Sequence, residues 1–147
     1  MSQSTNLQQD DEQSNDNASE IYRDYVLDVR IIKQTDDDET IYRFEAPNHE
    51  GKDFTDPDAA ELYADVYFDV NGFDEQNVGE QGIPLEIVQA GRDTLVAYLM
   101  TWPSTDIHWV GSFSGRQPGQ VRKYIKRLEK RAESIRKQIV EQGVEEV

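Results

Sequence analysis

The chain has 147 residues, enough for one domain with a modest core and a tail. Thirty acidic residues against fifteen basic ones leave a net charge of −15, and there is no cysteine, which excludes disulfides and thiolate metal sites. No apolar run approaches 18 residues, and the polar N-terminus has neither the basic nor the apolar region of a signal peptide, so a soluble cytoplasmic protein without membrane contact is expected. Lysine is scarce, with six residues against nine arginines. Acid excess with little lysine is the composition of proteins that work in molar salt, where repulsion is screened within about 3 Å. A halophilic source, archaeal or an archaeal virus, is the expectation; an ordinary acidic protein is the alternative.

Residues 1–20 are nearly free of apolar side chains and read as a disordered tail. Ile21 to Lys33 alternates, with Tyr25, Leu27, Val29 and Ile31 on one face. Residues 40–46 alternate again after the polar turn TDDDE, which predicts an antiparallel hairpin. Thr55 or Asp56 caps a helix from Pro57, with Ala59, Leu62, Tyr63, Val66, Tyr67 and Val70 at helical spacing. Its Asp58, Glu61, Asp65 and Asp69 read as a solvated face, and Asn71-Gly72 ends it. Residues 73–83 have no period and read as a loop. A helix is expected from Pro84 through Met100, with Gly91 on its packed side. A short one capped by Ser104 or Thr105 is expected over 105–113, and a last one over 118–140.

The expected fold is α+β. A β-hairpin and acidic helix (21–83) pack on a tri-helical unit (84–147) that ends in a long helix. Within that unit, "VGSFSGRQPGQVRKYIKRL" places small Gly111 where two helices would approach and Gly115 at a turn. Val121, Ile125 and Leu128 then anchor the second helix. On these residues the stretch 85–130 resembles the helix-turn-helix DNA-binding superfamily, in the general style of sigma-like and archaeal regulators. The resemblance implies transcriptional regulation, with the last helix entering the major groove. Two departures stand out. Ser114 sits where a larger apolar residue is usual, and Gly119 weakens the first turn of the recognition helix.

Charge supports the same reading. Residues 1–115 hold six basic and 25 acidic side chains, net −19, whereas 116–137 hold nine basic and two acidic, net +7. Such a reversal calls for an anionic counterpart, and double-stranded DNA is the expected partner; the competing reading pairs the basic helix with the protein's own acidic body. On the DNA reading, Gln117, Gln120, Arg122 and Lys123 face base edges, while Arg116, Lys126, Arg127 and Lys130 meet phosphates. Val121, Ile125, Leu128, Ala132, Ile135 and Ile139 recur at gaps of 4, 3, 4, 3 and 4, a packing seam expected to pair two chains as a homodimer. A structural protein that associates through this heptad helix is the second functional reading.

Nothing in the sequence points to an enzyme, a cofactor, a metal or a small-molecule substrate. His49 and His108 are isolated. The glycine of DVNGFDE is at the fourth place rather than the calcium loop's sixth, and Phe113 holds the centre of GSFSG where a nucleophile would stand. Trp102, Trp109, Phe113 and Tyr124 read as the core of the helical unit, with stacking on single-stranded bases as the alternative.

Overall fold

The alternating residues after Ile21 do form strands, but not one long strand. The structure is a computed structural model that describes residues 17–75 and 82–143. Strands β1 (Asn17–Asp24), β2 (Arg30–Asp36), β3 (Glu39–Glu45) and β4 (Lys52–Phe54) form an antiparallel meander in the order β1-β2-β3-β4. The expected strand 21–33 is broken at Leu27 and Asp28, whose φ angles are 62° and 60°. There Tyr25 N donates to Val29 O at 2.8 Å, closing a tight turn. Tyr25, Val29 and Ile31 are buried as expected, while Leu27 is turned out, 40% exposed. β1 begins at Asn17, so residues 17–20 of the expected tail are strand; residues 1–16 lie outside the described residues. The expected hairpin is β2–β3. Asp36 pairs with Glu39, leaving Asp37-Asp38 as a two-residue turn in which Asp37 takes the left-handed φ that Asp tolerates.

Helix α1 (Pro57–Asp69) starts where the sequence said it would. The Asp56 carboxylate accepts from Asp58 N at 3.0 Å, proline occupies the first turn, and left-handed Asn71 and Gly72 stop the chain. α1 lies between two layers. One side covers β2, β3 and β4; the other packs on α3 (Arg92–Met100) and α5 (Pro118–Glu141). Both sides are therefore buried, with Ala60, Tyr63, Ala64, Val66 and Phe68 all inside. The acidic face expected to be solvated is so only at its start: Asp58 is exposed and Glu61 partly so, but the Asp69 side chain is 6% exposed and that of Asp65 15%.

The helix expected over 84–100 is two helices, α2 (Leu85–Ala90) and α3, broken at Gly91 with φ 123°. Gly91 was expected to pack within a continuous helix; instead it takes a backbone angle that side-chain-bearing residues rarely adopt. α4 (Ile107–Ser114) is capped by Asp106, which accepts from Trp109 N at 2.8 Å, rather than by Ser104 or Thr105. The Thr105 hydroxyl instead donates to Leu99 O and Trp102 O, tying the α3–α4 loop down. Gly115, at φ 73°, ends α4 in the left-handed cap the sequence implied.

The architecture is thus α+β, with a hairpin sheet on helices and a long C-terminal helix, as expected. A single core cluster runs from Ile31 and Phe44 through Tyr63 and Leu99 to Leu128. Among the described residues no helix is long and apolar enough to cross a membrane. Beside the core runs a polar chain. Gly51 N donates to His49 Nδ1 at 2.8 Å, which leaves the ring proton on Nε2, 3.0 Å from Tyr63 Oη. The Tyr63 hydroxyl donates to Glu75 Oε2 at 2.5 Å and that of Tyr98 to Glu75 Oε1 at 2.9 Å. Burial lowers the His49 pKa; burial, and behind it the Glu75 carboxylate, push Tyr63 and Tyr98 up.

Candidate nucleic-acid interface

An α-helix turns about 100° per residue, so each side chain of α5 has a bearing. Val121, Leu128 and Ala132 share one side and are fully buried. Ile125 packs partly buried against the same core. Arg122, Lys126, Lys137, Lys130, Lys123 and Arg127 fall within an arc of roughly 140° on the opposite side, and all six are exposed. Among the described residues none of the six forms an ion pair. The arc extends roughly 22 Å from Arg122 to Lys137 at 1.5 Å per residue. The Arg127 guanidinium lies 5.6 Å from the centre of the Tyr124 ring, which steadies it without neutralising it.

The two remaining cations of α5 sit at the borders between the buried and exposed arcs, and both are occupied. Arg131 grips Asp69 through Nε (2.8 Å) and Nη2 (3.1 Å), and reaches Asp93 through Nη1 at 2.7 Å. The Thr94 hydroxyl donates to Asp69 Oδ2 at 2.7 Å and completes the cluster. Asp69 and then Asp93 push the Arg131 pKa up. Burial pushes Asp93 up, but Arg131 outweighs it and holds that carboxyl below its ordinary value. Arg136 bonds Asp65 at 2.8 Å and lies 5.0 Å and 5.1 Å from the ring centres of Tyr25 and Phe68. Burial raises Asp65 to about 6, with Arg136 pulling the other way. The helix therefore divides its positive charge. Arg131 and Arg136 lock α5 onto α1 and α3, and the outer six stay unpaired. The reading that pairs the basic helix with the protein's own acidic body thus holds for two of its cations, Arg131 and Arg136.

The turn residues have structural duties as well. Arg116 N donates to Gly111 O at 2.8 Å, and the side chain is half-buried. A Cβ on Gly111 would stand 2.7 Å from Arg116 O, so the small residue there is required by the turn. Gln117 caps α5, and its N–H points to Gln120 Oε1 at 3.4 Å. Both glutamines are exposed, Gln120 with part of its acceptor capacity used at the cap. The Ser114 hydroxyl donates to Val110 O at 2.7 Å, which satisfies a polar residue where an apolar one was expected. α4, the turn 115–117 and α5 pack together with α3.

No family model, no curated protein and no solved structure matches this chain.

The seam is spent inside the chain. Val121, Leu128 and Ala132 have no accessible surface left for a partner. Ile135 and Ile139 are half-buried and line a cleft of about 190 Å³ with Leu27, Pro47, Tyr67 and Phe68. Ile135 and Ile139, the end of the seam expected to pair two chains, are thus half covered by their own chain, because α5 runs back along α1 and the β1–β2 turn. The aromatic cluster also differs from its core reading. Tyr98 and Trp102 meet edge to face at 5.9 Å, but Trp109 and Phe113 stand outside, 42% and 51% exposed. They stack on each other at 5.3 Å with planes 7° apart. Their i, i+4 spacing carries the signal for that stack, and the sequence reading passed over it.

Proposed function

We propose that the chain binds duplex DNA through the outer face of α5, with α4 and α5 acting as a helix-turn-helix pair in a small regulator. One observation carries this reading. In a protein with twice as many acids as bases, six neighbouring cations on one helix face are exposed and without an ion pair among the described residues. Elsewhere the same chain pairs Arg23, Arg30 and Arg43 with carboxylates. Six cations gathered on one face, with Glu133 the one acid inside their arc, repel one another, and a polyanion that replaces its own counterions with them relieves it. Lys126, Arg127 and Lys130 suit phosphates, and Arg122 and Lys123 in the first turns suit base edges.

The test is fluorescence polarisation of a labelled 20-base-pair duplex in 0.1 to 1 M KCl. Binding should weaken steeply with salt. Each phosphate neutralised contributes a slope of about 0.9 in log affinity per decade, so Lys126→Ala should flatten the plot by about one unit for every sequence alike. A folded protein that binds no duplex at 0.1 M KCl overturns the proposal.

A further inference from the structure

Where α3, the end of α4 and the start of α5 meet there is a cavity of about 180 Å³. Leu95 and Val96 form its apolar lining, and Phe113, Ser114, Tyr124, Arg92 and Arg116 complete it. Its chemistry runs against the rest of the molecule. It contains two arginines and no carboxylate, in a chain of 30 acids. The arginines that do not belong to this cavity or to the outer face of α5 are all ion-paired: Arg23, Arg30, Arg43, Arg131 and Arg136. Arg92 and Arg116 form no ion pair among the described residues, and Arg116 Nε is buried without a hydrogen-bond partner. Arg92 and Arg116 therefore line the cavity with no carboxylate paired to them among the described residues, which leaves their charge to an anion from outside.

The aromatic residues say what else the occupant carries. One face of the Phe113 ring rests on Trp109, and Phe113 lines the cavity while remaining 51% exposed. Tyr124, opposite in sequence on α5, holds the Arg127 guanidinium over its ring. Flat rings beside planar guanidinium groups suit a ligand that is both aromatic and anionic, since a base stacks on a ring and Arg forks onto phosphate. A paired base in a duplex has no free face to offer; an unpaired one does. We infer that this cavity takes one unpaired nucleotide of a nucleic-acid strand, its base stacked on Phe113 and its phosphate held by Arg92 and Arg116. The inference rests on the nucleic-acid reading of α5 and extends it: the protein grips duplex with α5 and an adjoining unpaired nucleotide between α3 and α5.

Polarisation with two probes tests it: a blunt duplex, and the same duplex with a five-nucleotide single-stranded overhang. The overhang probe should bind tighter by roughly 5- to 150-fold, the range that stacking of one base supplies. Phe113→Ala and Arg92→Ala should each abolish that gain and leave blunt-duplex affinity unchanged. Phe113 is half out in solvent and Arg92 is exposed, so neither change removes core, and melting curves verify folding. Equal affinity for the two probes, or a gain that survives both substitutions, overturns the inference while α5 binding stands. Single-strand binding that depends on Phe113, without blunt-duplex binding, overturns the duplex reading and supports the cavity. A free deoxynucleoside monophosphate that displaces the overhang as strongly as a short single strand makes the ligand a free nucleotide and overturns the strand assignment.

Discussion

Replacing Arg131 with methionine separates the cations that hold α5 from those that face outward. The change leaves the Asp69 carboxylate, 6% exposed, with the Thr94 hydroxyl as its remaining partner, and it also removes the bond to Asp93. Breaking a buried ion pair from one side costs about 3–5 kcal/mol. Arg131 is itself 43% exposed, so water screens the charge it leaves behind, and the expected loss shrinks to about 2 kcal/mol. For a domain of this size that is a fall of roughly 8 °C in melting temperature. Circular-dichroism melts of the wild type, Arg131→Met and Lys126→Ala should show the fall in Arg131→Met alone. Adding Asp69→Asn to Arg131→Met should restore part of it, because the stranded charge is then gone. The salt slope of DNA binding should be unchanged by Arg131→Met and reduced by Lys126→Ala. A loss below about 0.5 kcal/mol, or equal losses in the two single variants, would refute the division of charge along α5.

The His49 chain predicts a pH effect with a definite sign. Burial lowers the folded pKa of His49 below its unfolded value of about 6.5, so its contribution is complete above that value and is lost as pH falls through the range beneath it. Protonation would take away the Nδ1 acceptor that Gly51 N uses. Asp65, raised to about 6, acts with the opposite sign, so the readout is the difference between wild type and His49→Asn, which should shrink between pH 7.5 and 5; a constant difference sinks the idea. Gly111→Ala, ordinarily favourable in a helix, should here cost about 1–3 kcal/mol in chemical denaturation, because the new methyl group meets backbone at 2.7 Å. Leu128→Ala, at a site with no exposure, should cost about 2–5 kcal/mol in the same assay, and a cost under 1 kcal/mol would mean that the seam is not internal.

Much of the fold was legible wherever a local rule was enough. Asp56 and Pro57 opened α1, Asn71-Gly72 closed it, and Gly115 marked the α4–α5 turn, because each depends on backbone chemistry within a few residues. The failures share a cause. Alternation through Tyr25, Leu27 and Val29 carries no information on the sign of φ, and the left-handed pair Leu27-Asp28 turned one strand into two. Gly91 looked like a packing residue because smallness and conformational freedom come with the same missing side chain. β4 is three residues long, too short for any period. At the candidate site, the sequence placed the basic residues on one long helix but could not say which cations were taken. Arg131 and Arg136 find their carboxylates 62 and 71 residues away, and only the fold brings them together. Asp65 and Asp69 were misread as solvated for the same reason.

Those separations also govern the order in which the molecule can be assembled. The four strands pair only with neighbours in sequence, so the sheet and α1 can form as soon as the first half of the chain leaves the ribosome. At that moment Asp65 and Asp69 stand on the uncovered side of α1 without Arg136 and Arg131, and the apolar surface between them lies bare. The residues that answer both needs are synthesised 62 and 71 residues later. α5 arrives carrying Leu128 and Ala132 for the apolar surface and Arg131 and Arg136 for the two carboxylates. Folding is thereby made to wait for the helix that bears the outward charge, and a chain cut short before residue 131 would expose α1 rather than yield a stable fragment.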